Sequence, residues 1–371
     1  MVSASELKAS TQLNSLCRIL HLPSPGSSST FPETPARIIS CDLEKHCLAL
    51  QDVTAIGLSV LHTDEIRLDD PGVNGVNWIP NIQSFNIRPR ETGHQANNFN
   101  FFTDKPEDFQ FGRDEWILKA DTPKLFKDVL EDFPREIVLI WHDTRGDIKD
   151  IRDKLGFDVQ ASSKKITILD SQIMAKARGY QNQIGLKALT GSLGISGIAF
   201  HNGGNDAAVT LINSILMAIC HSEEYVSAAA LTTFDNDVMS EAQPVSGGLL
   251  PPPNSFSGSN TSSASDPTLS TLPASITSEQ GHTYSVQEVV VMLMSKAYRV
   301  DPLFGSFYHC TRCNGMDHLG VACYGPVNCY RCHGKGHATE LCMCPEKHLQ
   351  QRIQNNIARF GDVRSRQSLL R

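Results

Sequence analysis

The chain has 371 residues, of which 40% are hydrophobic and 20% are charged, a composition typical of a soluble globular protein of about two domains. Its net charge is −7, and its pI is about 6.0. The sequence has no run of ~18 apolar residues, so no membrane-spanning helix is predicted. The N-terminus lacks the apolar core and cleavage site of a secretory signal.

The N-terminal residues 1–36 are predicted to be a disordered tail because their first 30 residues are rich in serine. Residues 11–22 could instead form a short amphipathic helix, and a mitochondrial presequence is the less favoured interpretation of that segment. We therefore expect a nuclear or cytoplasmic protein that is not secreted and has no membrane partner.

Residues 37–222 are predicted to form an α/β domain, because strand-like apolar runs alternate with helical patterns. Two runs that could pair antiparallel come first, and a strongly apolar run suited to a buried parallel strand follows later. The predicted strands cover residues 37–41, 53–61, 82–87, 137–141 and 166–169, and the predicted helices cover 122–133, 148–155, 185–193 and 206–219. This order predicts a mixed sheet flanked by helices.

Beyond this domain, residues 235–283 are rich in Ser, Pro, Gly and Thr, which predicts a disordered linker. A short helix is predicted over 285–299, where Ser285 and Glu288 have capping-box spacing, and we expect it to pack, for example against the cysteine-rich module that follows. Residues 284–371 contain 11 Lys and Arg against 6 Asp and Glu, a net +5, and end in a basic tail at 345–371. A basic segment on an acidic chain favours a phosphate-rich partner.

Acidic residues recur at the ends of predicted strands in the first domain. Asp42 and Glu44 lie in SCDLEKH, where their spacing places both carboxylates on one face of the strand. LIWHDTRGDI follows the buried strand and contains Asp143 and Asp147, and FHNGGNDA places a histidine and an aspartate around the start of a helix. Each motif alone is weak, because such carboxylates are commonly solvated caps.

The order of these motifs resembles that of the DEDDh exonucleases, which have a ribonuclease-H-like fold. The resemblance covers about residues 37–222 and extends to a fungal branch, the Gfd-like domains, through FNIRPRE, DFQFGRDEW and FHNGGNDA. It implies that His201 is the general base and that Asp147 is preferred to Asp143, because the acid of the family lies five residues after a histidine. The implied metal ligands are Asp42, Glu44, Asp147 and Asp206.

The resemblance implies 3′–5′ exonuclease chemistry with two Mg²⁺ or Mn²⁺ ions, for which carboxylate oxygens are suitable ligands. Histidine is suited to accept the proton of the attacking water near neutral pH. Lys45 lies beside the acidic pair, where strand alternation predicts that it points away, although it could compete with a metal. The alternative is a catalytically inert ribonuclease-H-like scaffold.

Seven of the 11 cysteines lie between Cys310 and Cys344, and the spacing C-x₂-C-x₄-H-x₄-C occurs twice, 19 residues apart. Three thiolates and one imidazole complete a tetrahedral zinc shell with no open position, so the two sites are predicted to be structural. A single ribbon built from the two C-x-x-C pairs would leave both histidines without a metal. The predicted zinc ligands in 310–342 are Cys310, Cys313, His318, Cys323, Cys329, Cys332, His337 and Cys342.

This repeat resembles the CCHC zinc knuckles of retroviral nucleocapsid and cellular RNA-binding proteins. The second knuckle has an aromatic residue after its first cysteine, Tyr330, which could stack on an unpaired base, and Arg331 and Lys335 add positive charge. The first knuckle has Thr311 at the aromatic position, so the second is the better candidate for base contact. The resemblance implies a single-stranded nucleic-acid partner, with RNA favoured over DNA, and protein binding is the alternative.

Overall fold

The computed structural model describes residues 4–25, 35–46, 49–93, 98–99, 102–103, 109–131, 136–162, 164, 166–180, 183–240, 283–296, 301–303 and 305–308. The two predicted knuckles, the basic tail and most of the predicted linker lie outside these residues. The described part of the chain forms a mixed sheet flanked by helices, as the alternation of patterns predicted.

Seven strands form the main sheet, in the order β8-β7-β1-β2-β3-β6-β9, and β4 and β5 form a separate two-stranded pair. The strands are β1 Ala36–His46, β2 Ala49–His62, β3 Gln83–Pro89, β4 Asn98–Phe99, β5 Phe102–Thr103, β6 Asp114–Ile117, β7 Glu136–Trp141, β8 Ile166–Asp170 and β9 Phe307–Tyr308. The helices are α1 Ala4–Ile19, α2 Thr122–Leu130, α3 Thr144–Leu155, α4 Ser171–Ala177, α5 Leu186–Ser192, α6 Gly203–Ser240 and α7 Val286–Lys296.

The register of β1 places its alternate residues on opposite faces of the sheet. β1 pairs antiparallel with β2, as predicted, and parallel with β7. Ile38 lies on the face covered by α1, α4, α5 and α6, whereas Ile39 lies on the face covered by α2 and α3. This alternation is the period of two of an extended strand, and it gives the domain two hydrophobic cores, one on each side of the sheet.

The N-terminal helix α1 corrects the prediction of a disordered tail over residues 1–36. Leu13, Leu16 and Leu20 are fully buried in the core shared with α4 and α6. Gln12 also accepts a hydrogen bond from the Asp170 backbone at 2.8 Å. The serine-rich composition suggested disorder, but the apolar stripe of this helix has long-range partners that composition does not reveal.

The segment after the predicted linker packs on the first domain, not on a separate module. Val289 and Val290 of α7 are fully buried in the same core as α6, and α7 lies against the 3₁₀ turn Ile79–Asn81. The capping box is confirmed, since Glu288 N donates to Ser285 Oγ at 3.2 Å and Ser285 N donates to Glu288 Oε2 at 2.7 Å.

Strand β9 then adds to the edge of the main sheet, where it pairs antiparallel with β6. Glu115 of β6 accepts hydrogen bonds from Leu303 N at 3.2 Å and from Ser306 Oγ. The domain therefore continues to residue 308, and the predicted boundary at 222 is too early.

Candidate metal centre

The acidic pair of β1 faces the N-terminal half of α6. Ser40, on the same strand face as Asp42 and Glu44, donates a hydrogen bond from Oγ to Ala207 O at 2.6 Å. Both acidic side chains are half-buried, and Asp42 lies opposite Gly57 in the antiparallel register with β2. The two carboxylates are therefore presented to the turn that begins α6.

Glycines allow α6 to approach the sheet at this point. A Cβ on Gly57 would lie 1.7 Å from the carbonyl oxygen of Gly203, so no larger residue fits without moving one backbone or the other. A Cβ on Gly204 would lie 2.6 Å from the ring of Phe109. Buried Asn86 adds a hydrogen bond, since its Oδ1 accepts from Gly204 N at 3.1 Å.

The close approach brings His201 and Asp206 to Glu44, one member of the acidic pair. The ligand atoms of Glu44, His201 and Asp206 all lie within 4.8 Å of one another. The Asp206 carboxylate is buried, and its Oδ2 accepts from His201 N at 3.1 Å. Its Oδ1 is also buried and has no hydrogen-bond partner among the described residues. A buried carboxylate oxygen without a donor fits a cation ligand.

The charges of the site show that its carboxylates repel one another. Burial raises the pKa of Asp42 well above its ordinary range, and the carboxylates of Glu44 and Asp147 raise it further. Burial likewise raises the pKa of Asp206, and Asp42 adds to that effect. The oxygen donors and the surplus negative charge fit hard divalent ions such as Mg²⁺ or Mn²⁺.

Asp147 lies in the first turn of α3 and is half-buried. Burial is the largest cause that raises its pKa, to about 6, and the charge of Lys45 opposes that rise. Asp147 also raises the pKa of Asp42, which places its charge near the β1 pair. Asp143, the other candidate, is exposed ahead of α3 in a left-handed conformation with φ of 69°. The choice of Asp147 over Asp143 as a metal ligand stays a prediction.

Lys45 points to α3, on the opposite side of β1 from the acidic pair, as strand alternation predicted. Its Nζ lies 2.6 Å from Asp150 Oδ2, and Lys154 Nζ lies 2.7 Å from the other oxygen of that carboxylate. The charge of Lys45 still lowers the pKa values of Asp42 and Asp147. It therefore offsets part of the negative charge of the site while it is paired with Asp150.

Three sequence blocks that carried the family resemblance contact one another around the start of α6. Asn86 from FNIRPRE donates to Asp114 Oδ1 at 2.7 Å, and Asp114 belongs to DFQFGRDEW. Gln110 of the same block donates from its backbone to Asn205 Oδ1 in FHNGGNDA, at 2.9 Å. The supporting roles of these residues could not be predicted, because polar residues in a short motif do not reveal their partners.

The predicted zinc ligands and the nucleic-acid contacts Tyr330, Arg331 and Lys335 lie outside the described residues. In the described part of the chain, Cys17, Cys41 and Cys220 are free thiols. Burial raises the pKa of Cys17 to about 12 and that of Cys220 to about 11, so both are protonated at neutral pH.

Comparison with known families agrees with this geometry. Residues 37–217 match the family described as DEDDh_C, DNA polymerase III subunit epsilon-like, C-terminal domain. The match supports a DEDDh exonuclease-like domain. The mixed sheet and flanking helices of this DEDDh-like domain fit a ribonuclease-H-like fold. A search of curated proteins finds no match to the sequence.

Helix α6 of the DEDDh-like domain explains one apparent membrane signal. Among the described residues, Gly203–Ser227 is the stretch long and apolar enough to cross a membrane, but its apolar 18-residue window, with a mean hydropathy of 1.2, is 94% buried inside the protein. Burial against the sheet accounts for its apolar composition, so it is the central helix of the core.

Proposed function

We propose that the DEDDh-like domain is a metal-dependent 3′–5′ exonuclease that acts on single-stranded nucleic acid, with RNA favoured over DNA. The observation that carries this proposal is the convergence of the ligand atoms of Glu44, His201 and Asp206 within 4.8 Å, beside a buried oxygen of Asp206 that has no protein partner in the described residues. The family match supports a nuclease on independent grounds.

In this proposal, the residues that hold two Mg²⁺ or Mn²⁺ ions are Asp42, Glu44, Asp147 and Asp206. Bound ions would supply charge neutralisation and Lewis acidity for phosphodiester hydrolysis. The exposed side chain of His201 lies beside Glu44 and Asp206, where it can accept the proton of an attacking water. The Asp206 carboxylate holds the His201 backbone at 3.1 Å and so fixes the position of this base.

We further propose that the two CCHC knuckles hold two structural zinc ions and bind the substrate strand. The repeated spacing of the eight ligands supports zinc, and Tyr330 in the second knuckle supports base stacking. Elemental analysis of the purified chain should find about two zinc ions per molecule. One zinc per molecule would favour the single-ribbon arrangement.

Lys45 favours a second candidate function, a catalytically inert RNA-binding adaptor. Its ammonium group offsets part of the charge of Asp42 and Asp147 and so reduces the electrostatic need for a second metal ion. An adaptor of this kind would bind a strand through the knuckles and leave it intact.

Labelled RNA and DNA strands, incubated with the full chain in Mg²⁺, Mn²⁺ or EDTA, separate the two functions. The exonuclease should shorten strands from the 3′ end in metal but not in EDTA, and a blocked 3′ end should protect them. His201→Ala should slow turnover by ~10²–10⁴-fold, the usual effect of losing a general base. Cys329→Ser should raise KM with a smaller effect on kcat. Tight binding without cleavage in every metal would leave the adaptor as the function.

A further inference from the structure

The segment that leads into α6 has an irregular backbone that its neighbours must hold in place. Gly197 and His201 both have left-handed conformations, with φ of 72° and 63°. A side chain with a Cβ rarely adopts this conformation, and it persists where surrounding contacts fix the chain. His201 is the proposed base, so the contacts that fix this segment also fix the position of its imidazole.

The side chain of Gln110 bonds to the segment from one side through both ends of its amide. Its Nε2 donates to Gly197 O at 2.9 Å, and its Oε1 accepts from Ala199 N at 2.8 Å. An amide can donate and accept in this way, whereas a carboxylate can only accept.

Asn205 completes the contact from the first turn of α6. Its side chain is fully buried and donates from Nδ2 to Ala199 O at 2.8 Å. Its Oδ1 accepts from Gln110 N at 2.9 Å. Both backbone polar groups of Ala199, two residues before His201, are therefore satisfied by two side-chain amides, and the Asn205 amide is also bonded to the backbone of Gln110.

We propose that Gln110 and Asn205 are positioning residues, which hold residues 197–201 so that the imidazole of His201 lies beside Glu44 and Asp206. The kinetic consequence rests on the proposed exonuclease function, whereas the geometric consequence rests only on the binding of a metal ion beside Glu44 and Asp206. Neither amide is proposed to touch the substrate or a metal ion. Their effect on the reaction passes through His201.

Gln110→Glu tests this role because it keeps the size of the side chain and removes the donor to Gly197. The variant should lower kcat by ~10–100-fold with KM within about twofold, as expected for a displaced catalytic group. In a His201→Ala background the same substitution should lower kcat by less than about twofold, because the imidazole that Gln110 positions is already absent. Gln172→Glu is a matched control, since Gln172 Nε2 donates to the carbonyl of Ile184 and not to this segment.

A second measurement needs no catalytic activity. Mn²⁺ added to the full chain should broaden the NMR signals of the His201 ring protons, assigned with His201→Ala, and the broadening should weaken in Gln110→Glu. Gln110→Met, which removes both hydrogen bonds without adding charge, should weaken it in the same way and covers the case in which the glutamate variant does not fold.

The possible outcomes separate the two proposals. If the wild-type chain degrades no strand, the exonuclease function fails, and the Mn²⁺ broadening alone decides the role of Gln110. Positioning is overturned if broadening in Gln110→Glu and Gln110→Met equals that of the wild type. It is also overturned if Gln110→Glu lowers kcat by the same factor with and without His201. A wild-type chain whose His201 signals do not respond to Mn²⁺ would contradict both proposals.

Discussion

At the scale of single residues, the carboxylates of the acidic cluster are held close together at a cost in stability. Asp42, Asp147 and Asp206 all have raised pKa values, with burial as the largest cause and neighbouring carboxylates as contributors. Without a cation, the ionised form of such a cluster opposes folding. The protein without metal should therefore be less stable than the size of its core suggests.

Asp42→Asn tests this conclusion. In EDTA the substitution should raise the melting temperature by a few degrees, because it removes a buried charge that two neighbours repel. In Mn²⁺ the wild type should have the higher melting temperature, because it gains stability by binding the ion and the variant binds it weakly. Thermal unfolding with and without metal measures both effects. Asp153→Asn, on the exposed side of α3, is the control. A melting temperature of Asp42→Asn below that of the wild type in EDTA would show that repulsion at Asp42 does not destabilise the protein.

Glu115 should give the protein a pH-dependent stability. Burial raises its pKa from 4.5 to about 8, although the hydrogen bonds from Ser306 and Leu303 oppose the rise. Between these two values the folded state keeps a proton that the unfolded state has lost, so stability falls as the pH rises and levels off above about pH 8. The loss should be on the order of a few kcal/mol.

Glu115→Gln should remove this part of the pH dependence. In urea unfolding at pH 5.5, 7.0 and 8.5, the free energy of unfolding of the variant should rise relative to that of the wild type as the pH rises. The difference should be largest at the highest pH. Exposed Glu65→Gln serves as the control for the loss of one carboxylate charge. A constant difference between wild type and Glu115→Gln across the three pH values would show that Glu115 is not protonated in the fold.

The residues proposed to do the chemistry were predicted from the sequence, but the residues that support them were not. Asp42, Glu44, Asp147, His201 and Asp206 were predicted from local motifs that follow one another in a fixed order, and their roles stay a prediction. Asn86, Gln110 and Asn205 have partners that are many positions away; Asn86 and Gly204, for example, are 118 positions apart. A single sequence does not show such pairings.

At the scale of elements, the packing of α6 on β2 depends on Gly57. Gly57→Ala would place a methyl group 1.7 Å from Gly203 O, so the start of α6 must move away from the sheet. We expect a stability loss of ~1–3 kcal/mol from overpacking, and a loss of nuclease activity because His201 and Asp206 move with the helix. Denaturant unfolding and the nuclease assay measure the two effects.

Gly191→Ala is the matched control for that substitution. A Cβ at Gly191, inside α5, would meet nothing within 4 Å, so the change should stabilise the helix by up to ~1 kcal/mol and leave activity intact. Equal stability and equal activity of the two alanine variants would show that neither the fold nor the reaction requires the close approach at Gly57.

Elements with a clear hydrophobic period were predicted well, and those that depend on distant partners were missed. The five predicted strands and the four helices of the first domain all appear, several with longer bounds, as in β1 and α6. Strand β6 was missed because Asp114 and Glu115 are polar, and their burial depends on Asn86 and on the segment that carries Ser306. Helix α1 was taken for a tail for the same reason: its partners are α4 and α6.

At the scale of the whole molecule, the predicted linker does not separate the knuckles from the domain. The chain returns after residue 282, buries α7 in the core and pairs β9 with β6, and the first predicted zinc ligand, Cys310, follows two residues after Tyr308. The attachment point of the predicted knuckles is therefore the edge strand β9 of the main sheet.

The register of the sheet gives the distance between this attachment point and the acidic pair. Tyr308 pairs with Glu115, and the same row continues across β3 and β2 to Leu43, between Asp42 and Glu44. Four strand spacings of ~4.8 Å separate the two ends of this row, or roughly 19 Å. A strand held by the knuckles would therefore have a high effective concentration at the proposed site.

Cleavage of the linker tests the docking of the C-terminal segment. A specific protease site inserted within residues 255–265 would allow one cut, after which the two fragments should elute together in gel filtration, because Val289, Val290 and Leu293 remain buried in the core. Val290→Asp, which places a charge in that core, should release the C-terminal fragment after the cut. Separation of the fragments in the wild-type sequence would contradict the docking.

The proposal that the acidic cluster is a metal-dependent nuclease centre can be tested by comparing the wild type with one variant of the cluster. The full chain and its Asp206→Asn variant are incubated side by side with a 5′-labelled single strand in Mn²⁺, and the products are resolved at single-nucleotide resolution. Wild-type protein should yield a ladder of progressively shorter strands, and the variant should yield none, because it loses the buried carboxylate whose Oδ1 has no hydrogen-bond partner in the described part of the chain. A wild-type chain that leaves the strand intact, or a variant that degrades it at the wild-type rate, would contradict the claim.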